Sequence, residues 1–370
     1  MKQEHELAGI EILRFVCAFA VLIWHYQNFF FIGEWIPAVG DALRPTLPLY
    51  RALSVFYDNG SLAVPFFWVI SGFIFYWHYA ATIRSRAVKF SDFLARRFSR
   101  LYPLHFVTLI AVAVEQHFYL RAHQSPFIFA WDKPIWFVAH LLFASNWFTR
   151  EPLSFNGPIW SVSIEILIYL SFFVIARTFK PHILVAACAA AGFSVCFNFL
   201  HSFISPDVFA CGMYFFAGGV AQQLAARPAA LPIAGCAIVA LLIALTFGHY
   251  GLNAAFLLFL ATGSVIVFTR LGESVLRLPF RHLAFLGNAT YSSYLLHFPL
   301  QLLIVMAVDA IGWKRNLFYS PVSFLAFLGL VVGLSLIVHR YFEMPAQNLI
   351  RGVIRARRSS RQTQVPAAQL

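Results

Sequence analysis

Residues 8–31 read AGIEILRFVCAFAVLIWHYQNFFF, an apolar run interrupted by Glu11, Arg14 and His25. A bilayer core about 30 Å thick is crossed by ~20 apolar residues in a helix, so this stretch is long enough to span it. Glu4 and Glu6 precede it and no small-residue cleavage site follows, which favours a retained span over a signal peptide. Working outward, similar windows occur at 61–83, 101–120, 157–176, 182–200, 207–226, 231–248, 251–269, 288–311 and 321–342. The apolar patch from Ile135 to Trp147 is too short to span and is broken by His140 and Asn146, so it is expected as an interfacial or re-entrant piece. Overall, 60% of residues are hydrophobic and 11% charged, against about 25% charged in soluble domains, which excludes a water-soluble surface. The expected fold class is all-α, a polytopic membrane helix bundle of about ten transmembrane helices.

The formal net charge is +12. In a membrane protein such an excess marks loops held on the negative cytoplasmic face, so it does not imply nucleic acid. With the N-terminus inside, one cytoplasmic loop holds Arg84, Arg86, Lys89, Arg96, Arg97 and Arg100, and other basic residues lie in later inner loops and in the tail. The outer loops carry far fewer, so both termini are expected to be cytoplasmic. Residues 1–346 form the expected membrane domain, and residues 347–370 an unstructured basic tail near anionic headgroups. The cysteines lie inside apolar segments without CxxC or zinc-type spacing, so neither a disulfide framework nor a metal site is expected, and no appended soluble domain is expected either.

An ionisable side chain at membrane depth costs on the order of 3 kcal/mol, so each one needs a partner or a purpose. Arg14 and His25 are eleven residues apart, about 16 Å along one helix face. Both therefore point into one interior path, or Arg14 snorkels while His25 bonds a neighbouring helix. In PIWSVSIE, Glu165 falls roughly two turns below the outer surface, matching the depth of His25. That predicts a His base oriented by the carboxylate, the other reading being a structural ion pair. Ser161 either bonds one of these groups or caps the helix. The run TYSSYLLHFPL places Tyr291 and His297 inside another span, with Pro299 freeing a backbone carbonyl. Arg97 and Arg100, at i and i+3, share a face and with Arg14 make a guanidinium cluster suited to bidentate phosphate contact. Glu343 is expected to pair with a loop arginine in an architectural role. Trp131, Trp136, Trp147 and Trp160 either stack on sugar faces or anchor the headgroup boundary.

Six elements in chain order resemble acyltransferase family 3, the integral-membrane O-acyltransferases that modify bacterial surface polysaccharides and some small molecules. They are GIEILRFVCAFAVLIWHY, FFWVISGFIF, RRFSRLYPLH, IWSVSIEILIYL, TYSSYLLHFPL and HRYFEMPAQ. Where the family often has two successive acidic residues, this chain has Glu165 followed by Ile166. The extracytoplasmic hydrolase-like domain that some members append is not expected here.

The resemblance implies a multi-pass protein of the bacterial inner membrane that moves an acyl group, usually acetyl, from cytoplasmic acetyl-CoA to a hydroxyl of a carbohydrate acceptor. The partners it implies are the acyl-CoA, that acceptor and the membrane lipids. On this reading Arg14, Arg97 and Arg100 bind the coenzyme phosphates. His25, oriented by Glu165, deprotonates the acceptor, and a transient acetyl-His25 is the variant route. Trp160, Ser161, Tyr291 and His297 are the expected substrate contacts. The rival from another class is a secondary transporter or exporter with a His/Glu/Arg path. It predicts Gly- or Pro-interrupted helices at matching positions in two halves, and no half-to-half similarity surrounds Pro65 and Pro299.

Overall fold

The computed structural model describes residues 7–130, 132–148, 152–225, 227, 254–274, 287 and 289–363. Among these, eight helical segments are long and apolar enough to cross a membrane, so the chain is an all-α, multi-pass membrane protein. The principal helices are α1 (Ala8–His25), α2 (Ala63–Phe75), α3 (Phe90–His123), α4 (Trp160–Thr178) and α5 (Ile183–Leu200). They continue with α6 (Pro206–Ala225), α7 (Ala254–Ser274), α8 (Thr290–Ala310), α9 (Pro321–Val338) and α10 (Met344–Thr363). The expected span at 231–248 lies outside the described residues.

Small residues let the inner helices close on one another. A Cβ on Gly72 of α2 would strike the Phe215 carbonyl of α6, and one on Gly218 would strike the Val69 carbonyl. Gly9 of α1 meets the Phe268 carbonyl of α7 in the same way. Without water to drive association, close backbone approach and packing hold such helices together. The opposite faces are apolar and uncovered, as a lipid environment requires. Along α3 the exposed large side chains include Phe98, Phe106, Val107, Ile110, Val114 and Phe118, a stripe at helical spacing. Within α5, Ala186 alone is buried, so that helix lies at the periphery.

One end of the bundle gathers Ala8, the 84–90 loop and the end of α4, where Arg84 donates to the Arg177 carbonyl and Arg177 to the Ile83 carbonyl. From this basic end α1 and α8 run in parallel, with Glu11 against Gly287 and His25 against His297. α4 runs the other way.

The segment between α3 and α4 turns back into the bundle. After the short helix Pro134–Leu141, His140, Ser154 and Asn156 are buried. His105 of α3 donates to the His140 carbonyl at 2.8 Å, and Ser163 of α4 to the Phe143 carbonyl at 2.6 Å. Pro299 has no N–H to offer the Leu295 carbonyl four residues back. Asn156 supplies the missing donor from the re-entrant segment, with Nδ2 at 3.0 Å from that oxygen.

Two expectations are corrected. The tail expected to be unstructured from residue 347 is helical as far as Thr363, the last described residue. Its first turns pack inward, where Gln347 is buried and Arg351 donates to Ser99 of α3 at 3.2 Å. Among the described residues, Glu343 forms no ion pair with a loop arginine. It accepts from Ser292 at 2.6 Å, His339 at 3.0 Å and Gln347 at 3.3 Å. These bonds tie the π-helical turn His339–Glu343 between α9 and α10 to α8.

Candidate functional site

A cavity of about 130 Å³ lies between α1, α2, α3, α4 and α8, room for several water-sized groups. Each helix gives it one face, at the three- and four-residue spacing that keeps side chains aligned. α2 supplies Phe67, Ile70, Ser71, Ile74 and Phe75; α3 supplies Arg97, Arg100 and Leu101; α4 supplies Ser161, Val162, Glu165 and Tyr169. Thr290, Tyr291 and Tyr294 come from α8 and Arg14 from α1.

The three expected arginines therefore converge, but they are not equivalent. Arg14 donates to both Glu11 oxygens, at 3.0 and 2.8 Å. Arg97 donates to the Tyr79 hydroxyl at 2.6 Å and lies over the Phe75 and Tyr79 rings, at 4.8 and 5.1 Å from their centroids. Arg100 has no hydrogen bond or ion pair among the described residues. The charges acting on it are Arg14 and Arg97, then Glu343 and Glu11. A guanidinium at membrane depth on which two other guanidinium groups act most strongly is poised for an anion from outside the protein.

Glu165 belongs to this cluster and not to His25. The Ser71 and Tyr169 hydroxyls are its polar neighbours, Arg97 and Arg100 its charged ones, and its Oε1 is buried without a hydrogen-bond partner among the described residues. The expected match in depth with His25 fails because α4 begins inside the bundle. Ser161 lies 2.9 Å from the Tyr294 hydroxyl, which in turn donates to the Pro158 carbonyl at 2.5 Å. His297 is one turn beyond Tyr294 along α8, while Glu165 is one turn beyond Ser161 in the opposite direction. The two levels are thus separated by roughly 11 Å.

At the upper level His25 packs against His297, ring centroids 4.6 Å apart, and against Trp24 at 4.6 Å. His25 Nδ1 lies 2.9 Å from the Val21 carbonyl and His297 Nδ1 lies 3.3 Å from the Ser293 carbonyl. A carbonyl only accepts, so both Nδ1 atoms carry hydrogen and, in the neutral rings, both Nε2 atoms are acceptors. Neither histidine lines the cavity. Tyr294 stands between the levels, its ring centroid 6.0 Å from that of His297.

Of the other expected contacts, Tyr291 lines the cavity and donates to the Leu101 carbonyl at 2.6 Å. Trp160 packs edge-on against Trp68 at 5.9 Å and does not reach the cavity. Trp147 donates to the Ser163 carbonyl at 3.0 Å, a structural contact, and Trp131 lies outside the described residues. Sequence reading missed Ser71, Tyr169 and Asn156, and left Tyr294, a member of the TYSSYLLHFPL run, out of the expected contacts. Tyr169, four residues after Glu165, and Tyr294, three after Tyr291, were legible as face neighbours; Ser71 and Asn156 carried no local signal.

A family model described as an acyltransferase domain matches residues 7–340. Acyltransferase MdmB of Streptomyces mycarofaciens is 32% identical over 169 residues, which is 45% of this chain and 38% of that protein. No solved structure matches. The family match takes in every helix that lines the cavity and both histidines, and the chain belongs to this acyltransferase family.

Proposed function

We propose that the protein is a membrane O-acyltransferase that takes an acyl group, acetyl in the simplest case, from acyl-CoA on the cytoplasmic side and esterifies a hydroxyl of a carbohydrate acceptor. The observation that carries this reading is Arg100, without a hydrogen-bond or ion-pair partner among the described residues, beside Arg97 and Arg14 in one cavity. Coenzyme A offers the phosphates such a cluster lacks, and planar guanidinium forks hold phosphate in two-point contact. Glu165, beside Ser71 and Tyr169, limits the local excess of positive charge.

His25 is the base. With Nδ1–H on the Val21 carbonyl, Nε2 accepts the hydroxyl proton while the acceptor oxygen bonds the thioester carbon. The C–S bond then breaks and the thiolate takes the proton back from the imidazolium. The same Nε2 lone pair also suits brief carriage of the acyl group. The thioester passes Tyr294 to reach this level, so the Tyr294–Ser161 contact opens during turnover.

The test uses purified protein in lipid nanodiscs with labelled acetyl-CoA and a panel of glycoside acceptors. Acceptor-dependent CoA release and ester formation are expected, and both are lost in His25→Ala at unchanged protein level. Full transfer by His25→Ala overturns the assignment. Ion-gradient-driven uptake into vesicles without CoA release replaces it with a transporter.

A further inference from the structure

The histidine pair beyond Tyr294 leaves a hydrogen-bonding demand that no group among the described residues meets. α1 and α8 are parallel, and each histidine commits its Nδ1 hydrogen to a carbonyl one turn back, Val21 for His25 and Ser293 for His297. Both Nε2 atoms consequently face away from the basic end. Two acceptors cannot bond each other, although the ring centroids are only 4.6 Å apart. His297 is wholly buried and its Nε2 has no partner. A buried acceptor left unpaired costs as much as a lost hydrogen bond, so a donor from outside the protein belongs here.

We propose that this donor is a second hydroxyl of the acceptor, which makes the preferred substrate a vicinal diol. The inference rests on the reading above, in which a hydroxyl is acylated at His25. The reacting hydroxyl donates to His25 Nε2, and its neighbour donates to His297 Nε2. Neighbouring diol oxygens are roughly 3 Å apart, and each reaches a ring nitrogen at a normal ~2.8 Å. Two acceptors on rings separated by 4.6 Å fit that pair. The first hydroxyl loses its proton as the C–O bond forms and the thioester C–S bond breaks; the second keeps its proton throughout. An isolated alcohol leaves His297 unpaired and reacts less well. Sugars present adjacent hydroxyls, and simple alcohols do not.

The experiment compares cis- and trans-cyclohexane-1,2-diol with cyclohexanol as acceptors, using the purified protein in nanodiscs, acetyl-CoA and mass-spectrometric quantification of the esters. The wild type is expected to favour at least one diol by roughly 10- to 100-fold in kcat/KM. His297→Phe keeps ring volume without an acceptor, and its diol-to-alcohol ratio is expected to fall to near one. His297→Gln retains a side-chain carbonyl and is expected to keep part of the ratio. An acetyl-CoA-dependent thermal shift in each variant reports that the fold is intact. A wild type that treats all three acceptors alike, or a ratio preserved in His297→Phe, overturns the inference alone and leaves a fixed water as the occupant. No ester on any acceptor, or on glycerol, overturns the hydroxyl-transfer reading as well.

Discussion

Ser161 and Tyr294 meet hydroxyl to hydroxyl at 2.9 Å, and that contact sets the level at which Glu165 faces the interior. Because Glu165 lies one turn past Ser161 toward the basic end, it sits with Arg97 and Arg100 and not beside His25. Glu165→Gln is therefore expected to act on the donor site. Removing a negative charge from an arginine cluster lowers KM for acetyl-CoA, by roughly 2- to 10-fold at low salt, and leaves the pH profile of kcat unshifted. Had Glu165 oriented His25, the same change would lower kcat and move its pH dependence. Steady-state kinetics across pH for both proteins separates the two.

Asn156 and Pro299 form a second pairing that mutagenesis can isolate. Asn156 Nδ2 meets the Leu295 carbonyl that Pro299 leaves open. Asn156→Ala orphans a buried carbonyl and is expected to lower stability by about 1–3 kcal/mol. Pro299→Ala restores a helical N–H, so the same substitution in that background should cost distinctly less. A double-mutant cycle on thermal unfolding in detergent reads the coupling; additive effects would contradict this account of the re-entrant segment.

These two pairings also mark where the sequence was legible. Hydropathy placed the spans, because a ~20-residue apolar run has few alternatives to crossing a bilayer. The i, i+3 spacing aligned Arg97 with Arg100, and Arg14 joins them at the cavity, whereas His25, expected on the same path as Arg14, does not line it. The partner of Glu165 was not legible. It depends on how far residues 132–148 and 152–159 turn back into the bundle, and that depth is set by long-range bonds such as Asn156–Leu295 and Tyr294–Pro158, which leave no trace in local periodicity. The tail misled for a related reason. Its basic composition suggested disorder, yet Leu349, Ile350, Val353 and Ile354 recur at helical spacing and the helix extends α9.

The re-entrant segment should be sensitive to acid. His140, outside the membrane-spanning helices, is held near pH 3 by burial, with His105 alongside adding to the effect. An imidazole lowered in the folded state from its ordinary value of 6.5 binds more protons when unfolded. The stability it contributes is therefore complete above pH 6.5 and is lost progressively as pH falls toward 3. Between about pH 7.5 and about pH 5 the loss should reach about 2 kcal/mol. Limited proteolysis of residues 132–159 should accelerate over that interval, and His140→Gln, which cannot titrate, should flatten the dependence.

The most direct measurement is equilibrium binding of acetyl-CoA and of S-acetylpantetheine, which lacks the nucleotide phosphates, to the wild type and to Arg100→Ala in nanodiscs. If the arginine cavity holds the coenzyme through its phosphates, the wild type binds acetyl-CoA at least about 10-fold tighter, the gap narrows with salt, and Arg100→Ala closes most of it. Equal affinity of the wild type for the two ligands, or a gap that Arg100→Ala leaves intact, would contradict the account.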